Sequence, residues 1–229
     1  MIAVDGPAGS GKSSTARGVA AELGLRYLDT GAMYRALTWW LISQRLDFAD
    51  PATVARNARR PVIEVTTNPA GPVVRVDGTD VTGQIRTREV SNAVSAVASV
   101  PEVRAHLVAR QQAILAAACA AGDGIVAEGR DIGTVVAPQA VVKVFLTASE
   151  EARAVRRSAD LAADPGATLA VTQDEQRRRD TADAPQSAMA SDAIKVDSTV
   201  MSLDQVIGLI VRVAGERGFP LAGHPARTG

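Results

Sequence analysis

A phosphate-binding loop near the start of the chain constrains the fold more than any other feature of the sequence. A short apolar run, Ile2 to Val4, leads through Asp5 into a segment that matches G-x-x-x-x-G-K-[ST] at every fixed position. Such a loop joins a buried strand to a helix, because its inward-facing N–H groups and the helix N-terminus together hold polyphosphate. The residues expected to contact phosphate are Gly6, Pro7, Ala8, Gly9, Ser10, Gly11, Lys12, Ser13 and Ser14.

The pattern gives separate tasks to its last two fixed residues. Lys12 is expected to reach the β- and γ-phosphates of a nucleoside triphosphate, and the Ser13 hydroxyl is expected to ligate Mg²⁺. An ordinary glycine-rich turn would require neither the lysine nor the hydroxyl. Lysine is otherwise found only at Lys143 and Lys195, while arginine is used everywhere else.

Composition indicates a chain that folds around a core and has no general attraction to nucleic acid. The 229 residues are 46% hydrophobic, which suits one domain or one domain with an insertion. The 25 basic and 25 acidic residues cancel, so the basic surface of a general nucleic-acid binder is missing. An anionic partner must therefore meet a local cluster of arginines.

Cysteine and hydropathy patterns predict a cytoplasmic protein without a membrane partner. The single cysteine, Cys119, lies in an apolar run, is predicted to be a buried helix residue, and allows no disulfide within the chain. The first strand begins at Ile2, which leaves no room for a leader, and no run approaches the ~18 apolar residues of a membrane span. His106 and His224 have no Cys or His neighbour at ligand spacing, so neither is assigned a metal.

Strand signals alternate with helix signals along most of the chain. Short apolar runs predict strands over 2–5, 26–29, 125–128, 141–146 and 193–197, and helical patterns predict helices over 12–23, 32–45 and 203–217. This alternation predicts an α/β fold whose parallel sheet is covered by helices on both faces. After Gly218 the composition turns to Pro, Gly and Ala, so residues 219–229 are predicted to form a frayed tail.

One segment interrupts the alternation. Residues 62–67 and 73–76 are rich in valine and other β-formers, are joined by the turn Asn68-Pro69-Ala70-Gly71-Pro72, and are followed by a further turn at Asp77-Gly78. This pattern predicts a small antiparallel element inserted into the α/β unit. The continuation over 84–100 is helical in pattern, and Pro101 is predicted to start a long amphipathic helix that runs to about Ala121.

A second region, residues 150–183, is dense in arginine. Its arginines lie on either side of a turn at Asp164-Pro165-Gly166. Taken alone, such a charge run is more typical of a solvated pair of helices. Beside a phosphate loop it favours a helical flap over a phosphate site. The arginines in question are Arg153, Arg156, Arg157, Arg177, Arg178 and Arg179.

Other charged residues discriminate among the many proteins that use phosphate loops. A GTPase of the Ras type would need Asn-Lys-x-Asp, and neither Lys143 nor Lys195 lies in such a motif. Arg35 follows the second predicted strand, and Arg130 and Asp131 follow the third. Taken singly, each arginine fits a surface salt bridge equally well. Because open parallel sheets bind ligands at the carboxyl ends of their strands, the group together favours an anionic acceptor.

Four phrases of the sequence resemble bacterial cytidylate kinases. They are residues 5–14 (DGPAGSGKSS), 28–35 (LDTGAMYR), 128–136 (EGRDIGTVV) and 197–199 (DST), and the similarity extends over nearly the whole chain. The resemblance implies a P-loop NTPase-type three-layer fold with a five-stranded parallel sheet, a β-rich monophosphate-binding insertion and a helical, arginine-rich lid. It divides a single domain into a core (1–60, 105–148 and 185–218), an insertion (61–104), a lid (149–184) and the tail.

The resemblance also implies residues that bind the acceptor. Three arginines would bind its phosphate and, with Lys12, form the catalytic set: Arg35, Arg130 and Arg179. Three residues would read cytosine: Ser95, Arg104 and Asp131. Ser95 and Asp131 can accept from the exocyclic amine, while Arg104 can donate to the O2 and N3 side of the ring. Uracil lacks that amine, so CMP should be preferred over UMP.

Further roles follow from the same resemblance. Asp183 would contact the ribose, Thr30 would lie near the acceptor, and the lid arginines Arg153, Arg156 and Arg157 would cover ATP. One position departs from the family pattern, since Gln186 stands where the family has a second lid arginine and is therefore left out of the predicted site. Weakened acceptor binding, or a substitute arginine such as Arg178, would each fit this departure.

The activity implied is Mg²⁺-dependent transfer of the γ-phosphoryl group of ATP to CMP or dCMP by a monomeric enzyme. The acceptor phosphate is already an anion, so no strong general base is required. Glu128, at a strand end opposite the loop, is a candidate to hold Mg²⁺ through water and is equally well explained as a structural carboxylate. Two alternatives stay open: a kinase for another small anion, such as a different monophosphate, shikimate or a pantetheine precursor, and a phosphate-loop binding or regulatory protein without transfer chemistry.

Overall fold

The structure, a computed structural model that describes residues 1–160 and 168–219, alternates strands and helices along the chain. Its strands are β1 (Ile2–Asp5), β2 (Arg26–Asp29), β3 (Ile63–Val65), β4 (Val74–Val76), β5 (Thr79–Asp80), β6 (Ile125–Gly129), β7 (Val142–Thr147) and β8 (Ile194–Asp197). Its helices are α1 (Lys12–Glu22), α2 (Thr30–Ser43), α3 (Pro51–Asn57), α4 (Arg88–Ala98), α5 (Pro101–Ala120), α6 (Glu150–Asp160), α7 (Leu169–Asp183) and α8 (Leu203–Glu216). Short helical turns cover Gln84–Arg86, Ile132–Val136 and Ala184–Gln186.

Five strands form one parallel sheet in the order β2-β6-β1-β7-β8. β1 lies at the centre, with Ile2 paired to Val126 of β6 on one side and to Val142 of β7 on the other. Since helices cover both faces, these strands read as continuous apolar runs. The predicted parallel sheet is confirmed, and each predicted strand ends within one residue of the observed one.

Side chains of the sheet alternate between two hydrophobic clusters, one on each face. Ile2 and Val4 pack with α1 and α8, whereas Ala3, between them, packs with α2 and α5. This is the period of two that a strand imposes on its side chains. The predicted three-layer arrangement is therefore confirmed.

The insertion forms a second, antiparallel sheet in the order β3-β4-β5. Ile63 pairs with Val76, which in turn pairs with Thr79 across a tight turn. The two residues of that turn, Asp77 and Gly78, both have positive φ angles, 50° and 79°, as the tight turns of twisted hairpins require. The antiparallel insertion is confirmed, and α5 begins at Pro101 as predicted.

Three local details differ from the expectations. Cys119 lies on a helix as predicted, but the prediction that it is buried is wrong, because the rotation of α5 turns it to solvent while its neighbour Ala118 is 1% exposed. α2 begins at Thr30, two residues early, since Asp29 caps it by accepting from the N–H of Ala32 at 2.8 Å. Phe219, the first residue of the predicted tail, is buried against the core.

Some expectations fall outside the described part of the chain. The predicted lid turn at 164–166 and the tail over 220–229 lie there. Among the residues that are described, none of the helices combines the length and the apolar character of a membrane span.

Candidate active site

A cavity of about 1040 Å³ opens at the carboxyl ends of the central strands. The phosphate loop lies at its base, with the insertion and the start of α5 on one side and the lid on the other. An open parallel sheet places its ligands at this edge. The sequence-predicted residues that line the cavity are Ala8, Gly9, Ser10, Gly11, Lys12, Ser13, Ser14, Thr30, Arg35, Ser95, Arg104, Arg130, Asp131, Arg156, Arg157, Arg179 and Asp183.

Gly6 and Pro7 shape the phosphate loop without lining the cavity. A Cβ added at Gly6 would lie 2.1 Å from the carbonyl oxygen of Leu146, so the chain can pass this close to β7 only with glycine. The ammonium of Lys12 donates to the carbonyl oxygen of Pro7 at 2.8 Å. The loop therefore holds its own lysine above the N-terminus of α1, where anions bind.

Glu128 and Ser13 present oxygen atoms at the start of α1. The Ser13 hydroxyl donates to Oε1 of Glu128 at 2.6 Å, and the Tyr27 hydroxyl donates to the same oxygen at 3.1 Å. Glu128 is only 4% exposed, and this burial raises the pKa of its carboxyl group. Hydroxyl and carboxylate oxygens are the protein ligands that Mg²⁺ accepts.

Four basic side chains line the cavity close enough to repel one another: Lys12, Arg35, Arg130 and Arg179. Burial, with repulsion from Arg130 and Arg179, lowers the pKa of Lys12. Burial, with repulsion from Arg35 and Arg130, lowers the pKa of Arg179 to about 9. Because these like charges repel one another, binding of an anionic ligand among them would be favourable.

Protein carboxylates neutralise this group only in part. Arg130 pairs with Asp183 at 2.8 Å and also donates to the carbonyl oxygen of Gly6 at 2.8 Å. Within residues 1–160 and 168–219, Arg35 and Arg179 form no ion pair, and Nε of Arg179 is buried without a hydrogen-bond acceptor. A guanidinium group in this condition is a binding site for a phosphate or carboxylate of a ligand.

The three residues predicted to read a base, Ser95, Arg104 and Asp131, all line the cavity. Arg104, on α5, forms an ion pair with Asp131, which follows β6. Burial raises the pKa of Asp131, and the arginine partly offsets this effect. Oγ of Ser95 is buried and has no hydrogen-bond partner among the described residues. The cavity wall therefore offers a neutral acceptor, an anionic acceptor and a forked donor.

Thr30 and Asp183 take positions between these two groups. The Thr30 hydroxyl is buried and donates to the carbonyl oxygen of Glu128 at 2.8 Å. Asp183, at the end of α7, is held by its ion pair with Arg130. Gln186 lines the cavity one short turn later. Arg178 does not replace the missing arginine, because it is 79% exposed and pairs with Asp174.

The lid arginines divide into two groups. Arg156 and Arg157 line the cavity, where Arg156 donates to the carbonyl oxygen of Ser198 at 2.6 Å and Arg157 donates to the Ser91 hydroxyl at 3.0 Å. Arg153 is buried behind the loop instead, where it donates to the carbonyl oxygen of Ala8 at 3.0 Å and pairs with Asp180 at 2.5 Å. Arg153 thus ties the lid to the phosphate loop.

Several residues that line the cavity were not among those predicted from the sequence. Arg86 lies there and forms an ion pair with Asp29 at 3.0 Å, while Tyr27 positions Glu128 and Tyr34 lies beside the Arg104–Asp131 pair. Tyr34 stands inside residues 28–35, one of the four phrases that carry the family resemblance, and this was the available signal. No local pattern predicts the Tyr27 contact, because 101 residues separate it from Glu128.

Here a phosphate loop shares one cavity with Arg35 and Arg179, which form no ion pair with any residue that the structure describes, and this is the arrangement of a P-loop phosphotransferase with an anionic acceptor. A family model described as "Cytidylate kinase" matches residues 2–216 of the chain. The chain therefore belongs to the cytidylate kinase family. It is an enzyme of the phosphotransferase class whose acceptor is a phosphate group.

Curated relatives extend over nearly the whole chain. The cytidylate kinase of Streptomyces coelicolor is 52% identical over 221 residues, which cover 95% of this chain and 93% of the relative. That of Streptomyces griseus subsp. griseus is 50% identical over 222 residues, or 95% of this chain and 94% of the relative. That of Rhodococcus opacus is 46% identical over 222 residues and covers 95% of both chains.

Proposed function

We propose that this enzyme transfers the γ-phosphoryl group of ATP to the phosphate of CMP or dCMP, which yields ADP and CDP or dCDP. The observation that carries the proposal is the cavity shared by Lys12 on the phosphate loop and by Arg35 and Arg179, neither of which has an ion-pair partner in residues 1–160 and 168–219. One set of cations suits a triphosphate, and the other suits a second phosphate that must approach it. The names of the relatives, cytidylate kinase, support cytidylate as the acceptor.

The chemistry needs charge neutralisation and alignment more than proton transfer. An oxygen of the acceptor phosphate forms a bond to the γ-phosphorus of ATP, while the bond from that phosphorus to the β,γ-bridging oxygen breaks and ADP departs with the electron pair. Because the attacking oxygen is already an anion at neutral pH, no base has to remove a proton. Lys12, Arg35, Arg130 and Arg179 would offset the repulsion between the two nucleotides and stabilise the transferring group.

The lid and the insertion would exclude water from this reaction. Arg156 and Arg157, on α6, reach the cavity above the phosphate loop, and the insertion covers its opposite side. A closed cavity prevents hydrolysis of ATP and strengthens the charge interactions inside it. Arg153 would contribute indirectly, because it fixes the backbone of the loop at Ala8.

We assign Mg²⁺ to the oxygen atoms at the start of α1. The residues present fit this ion, since the Ser13 hydroxyl and the Glu128 carboxylate offer oxygen ligands that lie 2.6 Å apart. Ser13 would hold the ion directly, and Glu128 would hold it through water. When bound, Mg²⁺ supplies positive charge to the β- and γ-phosphate oxygens of the donor.

Selection of the acceptor would rest on Ser95, Arg104 and Asp131. Ser95 and Asp131 would accept from the exocyclic amine of cytosine, and Arg104 would donate to the opposite side of the ring. Uracil would turn a carbonyl oxygen toward the buried carboxylate, which costs about 1–3 kcal/mol or more. Asp183 would contact the ribose and Thr30 would lie near the acceptor. A cytoplasmic monomer that does not bind nucleic acid stays our prediction from the sequence.

A panel of acceptors tests the proposal. The purified chain is given ATP and Mg²⁺ with CMP, dCMP, UMP, AMP or no acceptor, and ADP release is followed. We expect kcat/KM for CMP to exceed that for UMP by about tenfold or more, given the 1–3 kcal/mol of an unsatisfied buried group. Equal rates with CMP, UMP and AMP would contradict the assignment of the base-reading residues, and ATP binding without acceptor-dependent turnover would contradict transfer altogether.

A further inference from the structure

The short helical turn Ile132–Val136 has no cap of its own. Asp131 occupies the position before it, where an aspartate ordinarily accepts hydrogen bonds from the first free N–H groups. The Asp131 side chain makes no such bond and instead pairs with Arg104. The N–H groups at the start of the turn must therefore find another acceptor.

Asp5, at the end of β1, supplies that acceptor from a distant part of the chain. Its Oδ1 accepts from the N–H of Ile132 and its Oδ2 accepts from the N–H of Gly133, each at 2.8 Å. The side chain is 5% exposed. Both oxygens of a buried carboxylate are thus engaged by the turn, and leaving such donors unsatisfied would be unfavourable.

The surroundings hold this segment in one arrangement. A Cβ at Gly133 would lie 3.3 Å from Oδ2 of Asp5 and 3.2 Å from Cδ of Lys143, so even a methyl group would press on the carboxylate. On the other side of Asp131, Arg130 is tied to the carbonyl oxygen of Gly6. The residues on both sides of Asp131 are therefore fixed to the junction of β1 and the phosphate loop.

We propose that Asp5 is a positioning residue for acceptor selectivity, because it caps residues 132 and 133 from β1 and so leaves the Asp131 carboxylate to face the acceptor base. The inference rests on the proposed function, in which Asp131 reads cytosine. Without Asp5, the free N–H of Gly133 would attract the Asp131 carboxylate, because a side chain at the N-cap position accepts from the second or third residue of the helix. Discrimination between CMP and UMP would then fall, while the ATP site would change less.

Four variants test this inference. Asp5→Asn keeps the size of the side chain but turns an NH₂ group toward one of the two donors. Gly133→Ala displaces the carboxylate without altering it, and Asp131→Asn removes the proposed reader itself. Ile210→Val is the matched control, because it thins the apolar cluster packed on α1 and α8 and lowers stability without touching the cavity. For each variant, kcat and KM are measured with CMP, UMP and ATP, together with the Tm.

We expect Asp5→Asn to lower the ratio of kcat/KM for CMP to that for UMP by about tenfold, which corresponds to one unsatisfied buried group. The KM for ATP should change by a smaller factor than this ratio, because Asp5 acts on Lys12 through its charge but does not line the cavity itself. Gly133→Ala should lower the selectivity ratio in the same direction. Ile210→Val should lower the Tm and leave the ratio unchanged.

The outcomes separate this inference from the proposed function. If Asp131→Asn removes selectivity while a folded Asp5→Asn keeps it, the role of Asp5 is overturned and the proposed function stands. If Asp131→Asn leaves selectivity intact, the base-reading proposal itself fails. Equal losses with CMP and UMP in Asp5→Asn would show a purely structural residue and overturn the inference. If Asp5→Asn does not fold, the selectivity of Gly133→Ala decides in the same way.

Discussion

Three consecutive arginines on α7 have three different environments. Arg177 pairs with Glu150 at 2.9 Å and Arg178 pairs with Asp174 at 2.7 Å, and both are exposed. Arg179 points into the cavity, where other cations lower its pKa. A helix turns each successive residue by about 100°, so a run of identical residues is divided among different surroundings. Arg179 forms no ion pair within the described part of the chain, and this lack, more than the charge itself, supports its proposed role in binding the acceptor.

Replacing Arg179 by methionine tests this distinction. Methionine keeps much of the apolar stem but cannot donate to a phosphate. We expect kcat/KM for CMP to fall about thirtyfold or more, since a hydrogen bond to a charged group contributes about 2 kcal/mol. The KM for ATP should change much less. Steady-state kinetics with each substrate varied in turn provide the measurement.

Arg178→Met is the matched control for that variant. It changes the same residue type on the same helix, but its exposed ion pair is worth at most about 1 kcal/mol to stability and nothing to the cavity. Its kinetic constants should equal those of the wild type. Loss of CMP turnover in Arg178→Met would instead mean that this arginine compensates for Gln186.

At the scale of elements, the insertion and the lid touch each other across the mouth of the cavity. Glu175 of α7 accepts from Nε of Arg88 at 2.7 Å and from Nδ2 of Asn92 at 3.0 Å, and both donors lie on α4. Arg157 of α6 donates to Ser91 on the same helix. Because these contacts join the two segments that would hold the two nucleotides, we expect binding of one nucleotide to favour binding of the other, which is a coupling free energy between two sites.

Glu175→Gln should weaken that coupling. The amide keeps the shape of the side chain but loses the charge that holds Arg88, so we expect a loss of about 0.5–1 kcal/mol, or about two- to fivefold in the coupling factor. The measurement is calorimetric titration of CMP with and without a non-hydrolysable ATP analogue. Affinity for CMP alone should not change.

Glu150→Gln provides the comparison for the coupling experiment. Glu150 forms an equivalent ion pair with Arg177, but both residues belong to the lid. The Glu150→Gln substitution should therefore leave the coupling factor at the wild-type value. An equal effect of the two substitutions would mean that the lid is merely loosened, and an unchanged factor in Glu175→Gln would show that the contact between α4 and α7 carries no coupling.

The elements could be predicted where their signals are local. β1 and β2 were predicted to the residue, because each apolar run ends at an aspartate that begins a loop or caps a helix. The turn at Asp77-Gly78 was equally clear. Cys119 was misjudged because alanine-rich helix α5 has no sharp apolar stripe, so the sequence does not show which side faces solvent.

Contacts between residues that are far apart along the chain could not be predicted from the sequence pattern. Asp5 lies 127 residues before Ile132, and Arg153 lies 145 residues after Ala8, yet both pairs are in direct contact. Periodicity and spacing report neighbours along a strand or helix and contain nothing about such pairs. The family resemblance named many of the charged residues of the cavity, but only the folded chain distinguishes Arg156, which reaches it, from Arg153, which supports the loop.

At the scale of the whole molecule, the positive charges gathered in the cavity lower the stability of the folded protein. The three lysines differ in their surroundings. Lys143 is buried and pairs with Asp192 at 2.9 Å, and Lys195 is exposed. Of the three, only Lys12 lines the cavity together with arginines. The pKa of Lys12 is lowered from 10.5 to about 7, chiefly by burial and then by Arg130. The folded protein thus holds this proton less tightly than the unfolded chain does, which is unfavourable for folding.

Lys12→Met should therefore raise the Tm at neutral pH while it lowers kcat by about a hundredfold or more, as loss of a group that stabilises transferring charge does. For a chain of this size, each 1 kcal/mol corresponds to about 2–4 °C. The pH dependence of the difference in Tm between the two proteins tests the sign of this effect. The penalty is full below the lowered pKa of about 7 and disappears toward 10.5, so the wild type should approach the variant as the pH rises.

Calorimetry between pH 6.5 and 9.5, on the wild type and on lysine variants, measures this effect. Lys195→Met and Lys143→Met should not raise the Tm, since Lys143 pairs with Asp192 and Lys195 lies near Asp197. Tripolyphosphate should stabilise the wild type more than Lys12→Met, because an anion that binds only the folded state relieves the same repulsion. A Tm of Lys12→Met below that of the wild type at pH 7 would show that the bond to the carbonyl oxygen of Pro7 outweighs the repulsion, and that the free cavity is already at electrostatic balance.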